Sequence, residues 1–304
     1  MKKRVDKMSL IKKNSYARYD PYILFAFSLT IILWASAFPM IKIALVDFKA
    51  ENLSAIRLFI ASIVLIVLAV IKKYPLPEKK DIPLIMMLGF SGFTIYHVAL
   101  SFGEYYISAG IASLLVSTTP IFSAILAKYF LKERFTKKSW YGSCIAFLGV
   151  GLLSLSSGNN KVIGFGVILV LIASLGESIY FVFQNKFLNK YGFIPFTIYT
   201  IISGTIFTII FLPDAINELQ SASNISILAV IYLGIFPSVI PYIALAYTIQ
   251  KIGTSEATIS LYLTPVISLI LSYLILQEIP SQLAIIGGII TIIGVTLTSV
   301  KERN

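Results

Sequence analysis

Of the 304 residues, 57% are hydrophobic and 13% are charged, against roughly 25% charged in an ordinary soluble domain, which excludes a soluble fold carrying one or two apolar anchors. The formal net charge of +11 does not point to nucleic acid, because the basic residues sit in short intervals beside apolar stretches, where membrane topology and anionic headgroups account for them. A single cysteine, Cys144, excludes an internal disulfide and a thiolate metal cluster.

Residues 1–20 read as a cytoplasmic basic tail holding Lys2, Lys3, Arg4, Lys7, Lys12, Lys13 and Arg18. Residues 21–37 resemble a signal peptide ending at Ala35-Ser36-Ala37, but the apolar run continues to Val46, which predicts an uncleaved first helix. Apolar windows of helical length predict spans near 21–41, 54–71, 82–102, 107–131, 138–156, 164–187, 194–212, 225–247, 254–276 and 282–300. Unbroken apolar runs, in place of short alternating segments, exclude a membrane β-barrel. The basic tail and the even-numbered loops, with Lys72, Lys73, Lys79, Lys80, Lys132, Arg134, Lys137 and Lys138, are expected in the cytoplasm. The odd-numbered loops carry little positive charge, so both termini are expected inside.

The chain contains itself twice. A shift of 145 positions pairs Leu88–Ser154 with Leu233–Ser299 and gives 20 identities in 67 positions without a gap, too many for shared hydrophobicity. Gly89, Pro120, Glu133, Gly142 and Gly149 match Gly234, Pro265, Glu278, Gly287 and Gly294. These positions place one five-helix repeat over 21–156 and a second over 164–300. Five is odd, so the second repeat enters the membrane from the opposite side. Inverted repeats around a central cavity provide the symmetry that alternating access requires.

Polar side chains within the spans are the candidate sites, since a charge at bilayer depth costs roughly 2.5–3.5 kcal/mol on insertion scales. Trp34, Ser36 and Pro39 of span 1 suit either a solute cavity or packing. Lys42 and Arg57 stand near the outer ends of spans 1 and 2, within reach of headgroups, with Glu104 the expected partner of Arg57. His97, the only histidine, matches Tyr242 of the second repeat and is either proton-sensitive or a hydrogen bond to a neighbouring helix. Pro120 and Pro265 interrupt spans 4 and 9 and free the carbonyls of Val116 and Leu261. Ser117, Thr118, Thr119, Tyr262 and Thr264 then either face a solute or satisfy the freed backbone. Glu177, near the middle of span 6 with Tyr180 and Gln184 on its face, is either a cavity carboxylate for a cation or proton or a hydrogen-bonded structural group. Arg57, Glu133 and Glu278 are assigned to structure or gating, with Pro120 and Pro265.

The residues Trp34-Ala35-Ser36-Ala37-Phe38 with Lys42, Leu53 to Arg57, Pro120 to Glu133, Gly142 to Gly149, Pro265 to Glu278 and Gly287 to Gly294 resemble the drug/metabolite transporter superfamily, in its EamA-type ten-helix branch. Ala35 and Asn52 stand where that family often has Gly and Pro. The resemblance implies a cavity lined by spans 1, 3, 4, 6, 8 and 9, and members that move amino acids, nucleotide-like metabolites, vitamins or drugs.

The expected activity is secondary transport of a small organic metabolite by alternating access in the cell membrane. The expected partners are the solute, protons, lipid and a second copy in a homodimer, with no nucleic acid and no cofactor or metal. No phosphate-cradling loop supports a nucleotide-driven pump, and no nucleophile or metal motif supports an intramembrane enzyme. A channel, a lipid flippase and an intramembrane enzyme remain the alternatives.

Overall fold

A computed structural model describes residues 20–130, 137–155, 160–252, 257 and 260–299. The basic tail before Asp20, Glu133 with Lys132 and Arg134, and the side chain of Tyr262 lie outside the described residues. Every regular element among the described residues is helical.

Asp20 starts α1 (Pro21–Ala44) by accepting the Tyr22 N–H at 2.9 Å, with Pro21 in the first turn where its missing donor costs nothing. α2 (Ala50–Lys72) ends on Lys73 in the left-handed region at φ 52°. The third apolar window is not one regular helix. α3 (Ile82–Gly89) and α4 (Tyr96–Tyr106) are joined by a π-helical turn, Phe90–Ile95, which widens the helix locally. Glycines surround this turn because neighbours press on it: a Cβ on Gly92 would lie 2.5 Å from Tyr180, and one on Gly204 would lie 2.5 Å from Phe93.

The fourth window is divided as well. α5 (Ala109–Val116), capped by Ser108, stops short of α6 (Thr119–Phe130). There follow α7 (Lys137–Leu155), α8 (Asn160–Phe183), a short α9 (Asn185–Tyr191), α10 (Phe193–Thr208), α11 (Leu212–Ser221) and α12 (Asn224–Ile252). A 3-10 turn at Ser260–Leu263 leads into α13 (Thr264–Leu276), and α14 (Gln282–Ser299) closes the fold.

Among the described residues, seven helical stretches are long and apolar enough to cross a membrane: Pro21–Ala44, Ala50–Lys72, Lys79–Tyr106, Ala109–Phe130, Gly164–Phe183, Phe193–Ser221 and Asn224–Ile252. Thr264–Leu276 and Gln282–Leu297 are apolar but shorter. The protein is a multi-pass membrane protein, and its outward faces carry exposed apolar side chains such as Val70, Ile210 and Leu228, which lipid covers.

Packing follows the internal repeat. α1 lies against α12 and α13, as α8 lies against α4 and α6; α2 pairs with α10, and α7 with α14. The α7–α14 contact is a backbone approach between matched glycines. A Cβ on Gly149 would lie 2.6 Å from the Gly287 carbonyl oxygen, and one on Gly294 would lie 2.6 Å from that of Gly142. Residue numbers rise along α7 as they fall along α14, so these two matched helices run antiparallel. Small residues permit this approach where helices cannot rely on the hydrophobic effect to associate.

Candidate functional site

The site begins where proline denies the backbone a donor. At the α5–α6 break the hydroxyls turn inward on the chain: Ser117 Oγ donates to the Leu114 carbonyl at 2.5 Å and Thr118 Oγ1 to that of Leu115 at 2.7 Å. Thr119, just past the break, is held by α8 at both ends. Its hydroxyl donates to Glu177 Oε2 at 3.1 Å, and its carbonyl accepts from Ser178 Oγ at 2.9 Å.

A second proline effect anchors α1. Pro241 lies inside α12, where it cannot donate to the carbonyl four residues earlier. That carbonyl belongs to Pro237, and Trp34 Nε1 donates to it at 3.2 Å. Ser36 ties the same two helices through Tyr232, with the hydroxyl oxygens 2.6 Å apart.

Between these anchors lies a cavity lined by side chains of α1, α2, α4, α5, α6, α8, α12 and α13. One wall is aromatic. Trp34 meets Tyr242 edge-on with centroids 5.2 Å apart, and Phe93 backs Tyr242 at 4.7 Å. Two charged residues of opposite sign, Arg57 and Glu177, line the same space, each only 3% exposed. Arg57 Nε donates to Ser238 Oγ at 3.1 Å, and no ion pair joins it to Glu177.

Among the described residues lining the cavity, four polar atoms make no hydrogen bond within the protein: Arg57 Nη1, His97 Nε2, Tyr242 Oη and Thr264 Oγ1. Buried polar atoms in native proteins are almost always paired. These four atoms leave the cavity lining with unmet hydrogen-bonding capacity. His97 Nδ1 lies 2.8 Å from the Phe93 carbonyl, which only accepts, so Nδ1 carries the proton and the Nε2 of the neutral ring presents a lone pair to the cavity.

The EamA-like transporter family model matches this chain twice, over residues 21–155 and 164–300. The chain belongs to that family. A protein named "Uncharacterized transporter YdfC" from Bacillus subtilis (strain 168) is 48% identical over 279 residues, covering 92% of this chain and 91% of its own. A "Probable terminal-alkyne amino-acid exporter" from Streptantibioticus cattleyicolor is 32% identical over 274 residues, covering 90% of this chain and 92% of its own. One solved crystal structure shares the fold with a TM-score of 0.60 at 17% identity, covering 90% of this chain and 95% of that one. Membership in the EamA-like family makes this chain a membrane transporter.

Within this family member the structure gathers Trp34, His97, Ser117, Glu177, Tyr242, Arg57, Pro120 and Pro265 around one cavity. Ser36, Thr118 and Tyr180 stand away from it. Ser36 is spent on the α1–α12 tie, Thr118 on its own backbone, and Tyr180 is packed between Phe93 and Phe196. Glu278 lines a separate pocket. The expected Arg57–Glu104 pair does not form: both Glu104 oxygens lack a hydrogen-bond partner, while Arg57 turns to Ser238 because α2 packs against α12. Nor does Arg57 reach headgroups, being buried. Tyr96 also lines the cavity. Its place beside His97 follows the π turn, which no hydropathy window reports.

Proposed function

We propose that this transporter is a secondary carrier that exchanges a small zwitterion, an amino acid or a close analogue, across the cell membrane by alternating access. The carrying observation is that Arg57 and Glu177 line one cavity without pairing with each other. Each charge, kept from water, is expensive unless partnered. A solute bearing both a carboxylate and an ammonium group supplies both partners. The unpaired Nη1 of Arg57 takes the carboxylate, Glu177 takes the ammonium, and Trp34 and Tyr242 flank the side chain. The amino-acid exporter named among the relatives agrees with this chemistry.

The machinery in this reading is ten spans in two inverted repeats, 21–156 and 164–300, rocking about the cavity with both termini in the cytoplasm. Three observations support it: the odd number of windows per repeat, the antiparallel crossing of the matched helices α7 and α14, and the exchange of packing partners between the repeats. Glu177 and His97 are the groups through which protons would couple to the solute.

Purified protein in liposomes loaded with unlabelled amino acids tests the reading. A carrier accumulates labelled amino acid transiently by counterflow, which neither a channel nor an enzyme does. Absence of counterflow for every member of a panel of acidic, basic and neutral amino acids rejects it.

A further inference from the structure

The cavity is not the only place where this membrane protein leaves buried polar atoms without partners. On α13, Thr264, Ser268 and Ser272 recur every four residues and so share one helix face, and each of their hydroxyl oxygens is buried and makes no hydrogen bond within the protein. Ser268 and Ser272 are at most 1% exposed. A lone serine inside a helix ordinarily bonds back to its own backbone, as Ser174 and Ser143 do here. These three do not. At the 1.5 Å rise of a helix, the ladder covers about 12 Å.

The two ends of the ladder line different hollows. Thr264 lines the central cavity, and Ser272 lines a second pocket with Ser108, Gly110 and Glu278. Local backbone geometry brings Glu278 there: Gln277 adopts the left-handed conformation at φ 56°, so the chain folds back and the Glu278 N–H reaches the Ser272 carbonyl at 3.4 Å. Glu278 Oε2 is buried and makes no hydrogen bond. Glu278 is the charged residue lining this pocket among the described residues. Glu104, fully buried, feels the charges of Lys42, Glu278 and Arg57.

We infer that the Ser272–Glu278 pocket is a second binding site, a vestibule that takes the ammonium end of the solute and passes it along the Thr264–Ser268–Ser272 ladder to and from the central cavity. It rests on the carrier reading. Among the described residues the pocket is lined by a carboxylate and hydroxyl acceptors and by no cation, so its complement is a cationic hydrogen-bond donor. The ladder places a hydroxyl about every 6 Å along the helix, so an ammonium group meets successive acceptors in transit.

Single cysteines test this in a Cys144→Ser background, which removes the one native thiol. Ser272→Cys is expected to react with cationic 2-aminoethyl methanethiosulfonate at least about ten-fold faster than with the anionic 2-sulfonatoethyl reagent, relative to the ratio at exposed Ser221→Cys at the same end, since a cleft of one sign concentrates counter-charge. Adding Glu278→Gln is expected to abolish that preference, and methylammonium is expected to slow the cationic reagent. Ser268→Cys is expected to react, and lipid-facing Ile270→Cys is not. Thr264→Cys reports the cavity separately. A reactive Thr264→Cys beside an unreactive Ser268→Cys, or an Ser272→Cys without charge preference, overturns the vestibule and leaves the carrier standing. Silence at Thr264→Cys, Ser268→Cys and Ser272→Cys together overturns both. The charge ratio at Ser272→Cys is read with native Glu278, so a poorly folding Glu278→Gln variant does not blunt the result.

Discussion

Trp34 donates from its indole to the carbonyl of Pro237, the carbonyl that Pro241 leaves without its helical donor, so one hydrogen bond repairs a proline defect and sets the position of the cavity's largest aromatic wall. A buried acceptor stripped of its donor costs about 1–3 kcal/mol. Trp34→Phe keeps an aromatic ring and loses only the donor and the second ring. Lower thermal stability of the purified protein and slower counterflow are expected together. Unchanged stability would mean that water serves Pro237 equally well.

Glu177 carries the negative charge in the proposed solute site. Glu177→Gln is expected to reduce counterflow at least about ten-fold, because a charge-assisted hydrogen bond to the ammonium is worth roughly 1.5–3 kcal/mol. The amount of folded protein in the membrane should stay unchanged. Thr119→Val, which removes the donor to Glu177 but keeps the Thr119 carbonyl for Ser178, is expected to have a smaller effect. Wild-type counterflow in Glu177→Gln removes the residue from the mechanism.

Arg57 is expected to act by geometry as well as charge. Its Nε is held by Ser238 while Nη1 is unpaired, an orientation that a lysine ammonium does not reproduce. Arg57→Lys should therefore raise the half-saturation concentration for a zwitterion by about ten-fold. An amine lacking the carboxylate should show no such change. Equal shifts for both solutes would assign Arg57 to scaffold alone.

The α7–α14 crossing is the expected weak point for packing. Gly149→Ala places a methyl 2.6 Å from the Gly287 carbonyl, and overpacking of this kind costs about 1–3 kcal/mol. Gly151, two residues on, has no neighbouring atom within 4 Å of an added Cβ. Gly151→Ala is therefore expected to fold as well as the native chain, with Gly149→Ala giving less monodisperse protein in detergent. Equal yields would contradict the backbone approach.

Outside the spans, Lys190 clamps the loop after α2 to α9, with Nζ 2.8 Å from Glu78 and 2.5 Å from Asp81. The Lys190 hydrogen bond, helped by Lys80, holds the Glu78 carboxyl below its ordinary range, while Asp81 and then Glu78 raise Lys190. A lowered carboxylate stabilises fully above its unfolded value of about 4.3 and loses that contribution as pH falls through the folded value. A raised lysine stabilises fully below about 10.4 and loses it as pH rises further. Amide exchange in residues 74–81 is therefore expected to stay slow from about pH 5 to pH 10 after correction for intrinsic rates. Glu78→Gln should quicken it at neutral pH, and a profile unchanged by that substitution would dismiss the clamp.

The helices, the internal repeat and the family were legible in the chain because each depends on information local to it. A run such as Ile60 to Ile71 has one low-energy state in lipid, the helix, whatever it packs against. Gly149, Gly294, Pro120 and Pro265 announce close approaches and breaks by backbone type alone. Even Glu177 stood out, since a carboxylate in mid-span demands a partner.

Which side chains meet was decided elsewhere. Arg57 reads as a headgroup residue by its depth, yet the rotation of α2 against α12 turns it into the cavity. Ser36 and Thr118 read as cavity hydroxyls, yet one is consumed by Tyr232 and the other by its own backbone. The π turn at Phe90–Ile95 shifts the helical phase ahead of Tyr96 and His97. Composition and period state that a face exists, whereas the azimuth of each helix about its axis is set by contacts with its neighbours. That angle, a property of the packed assembly, selects the groups a solute would touch.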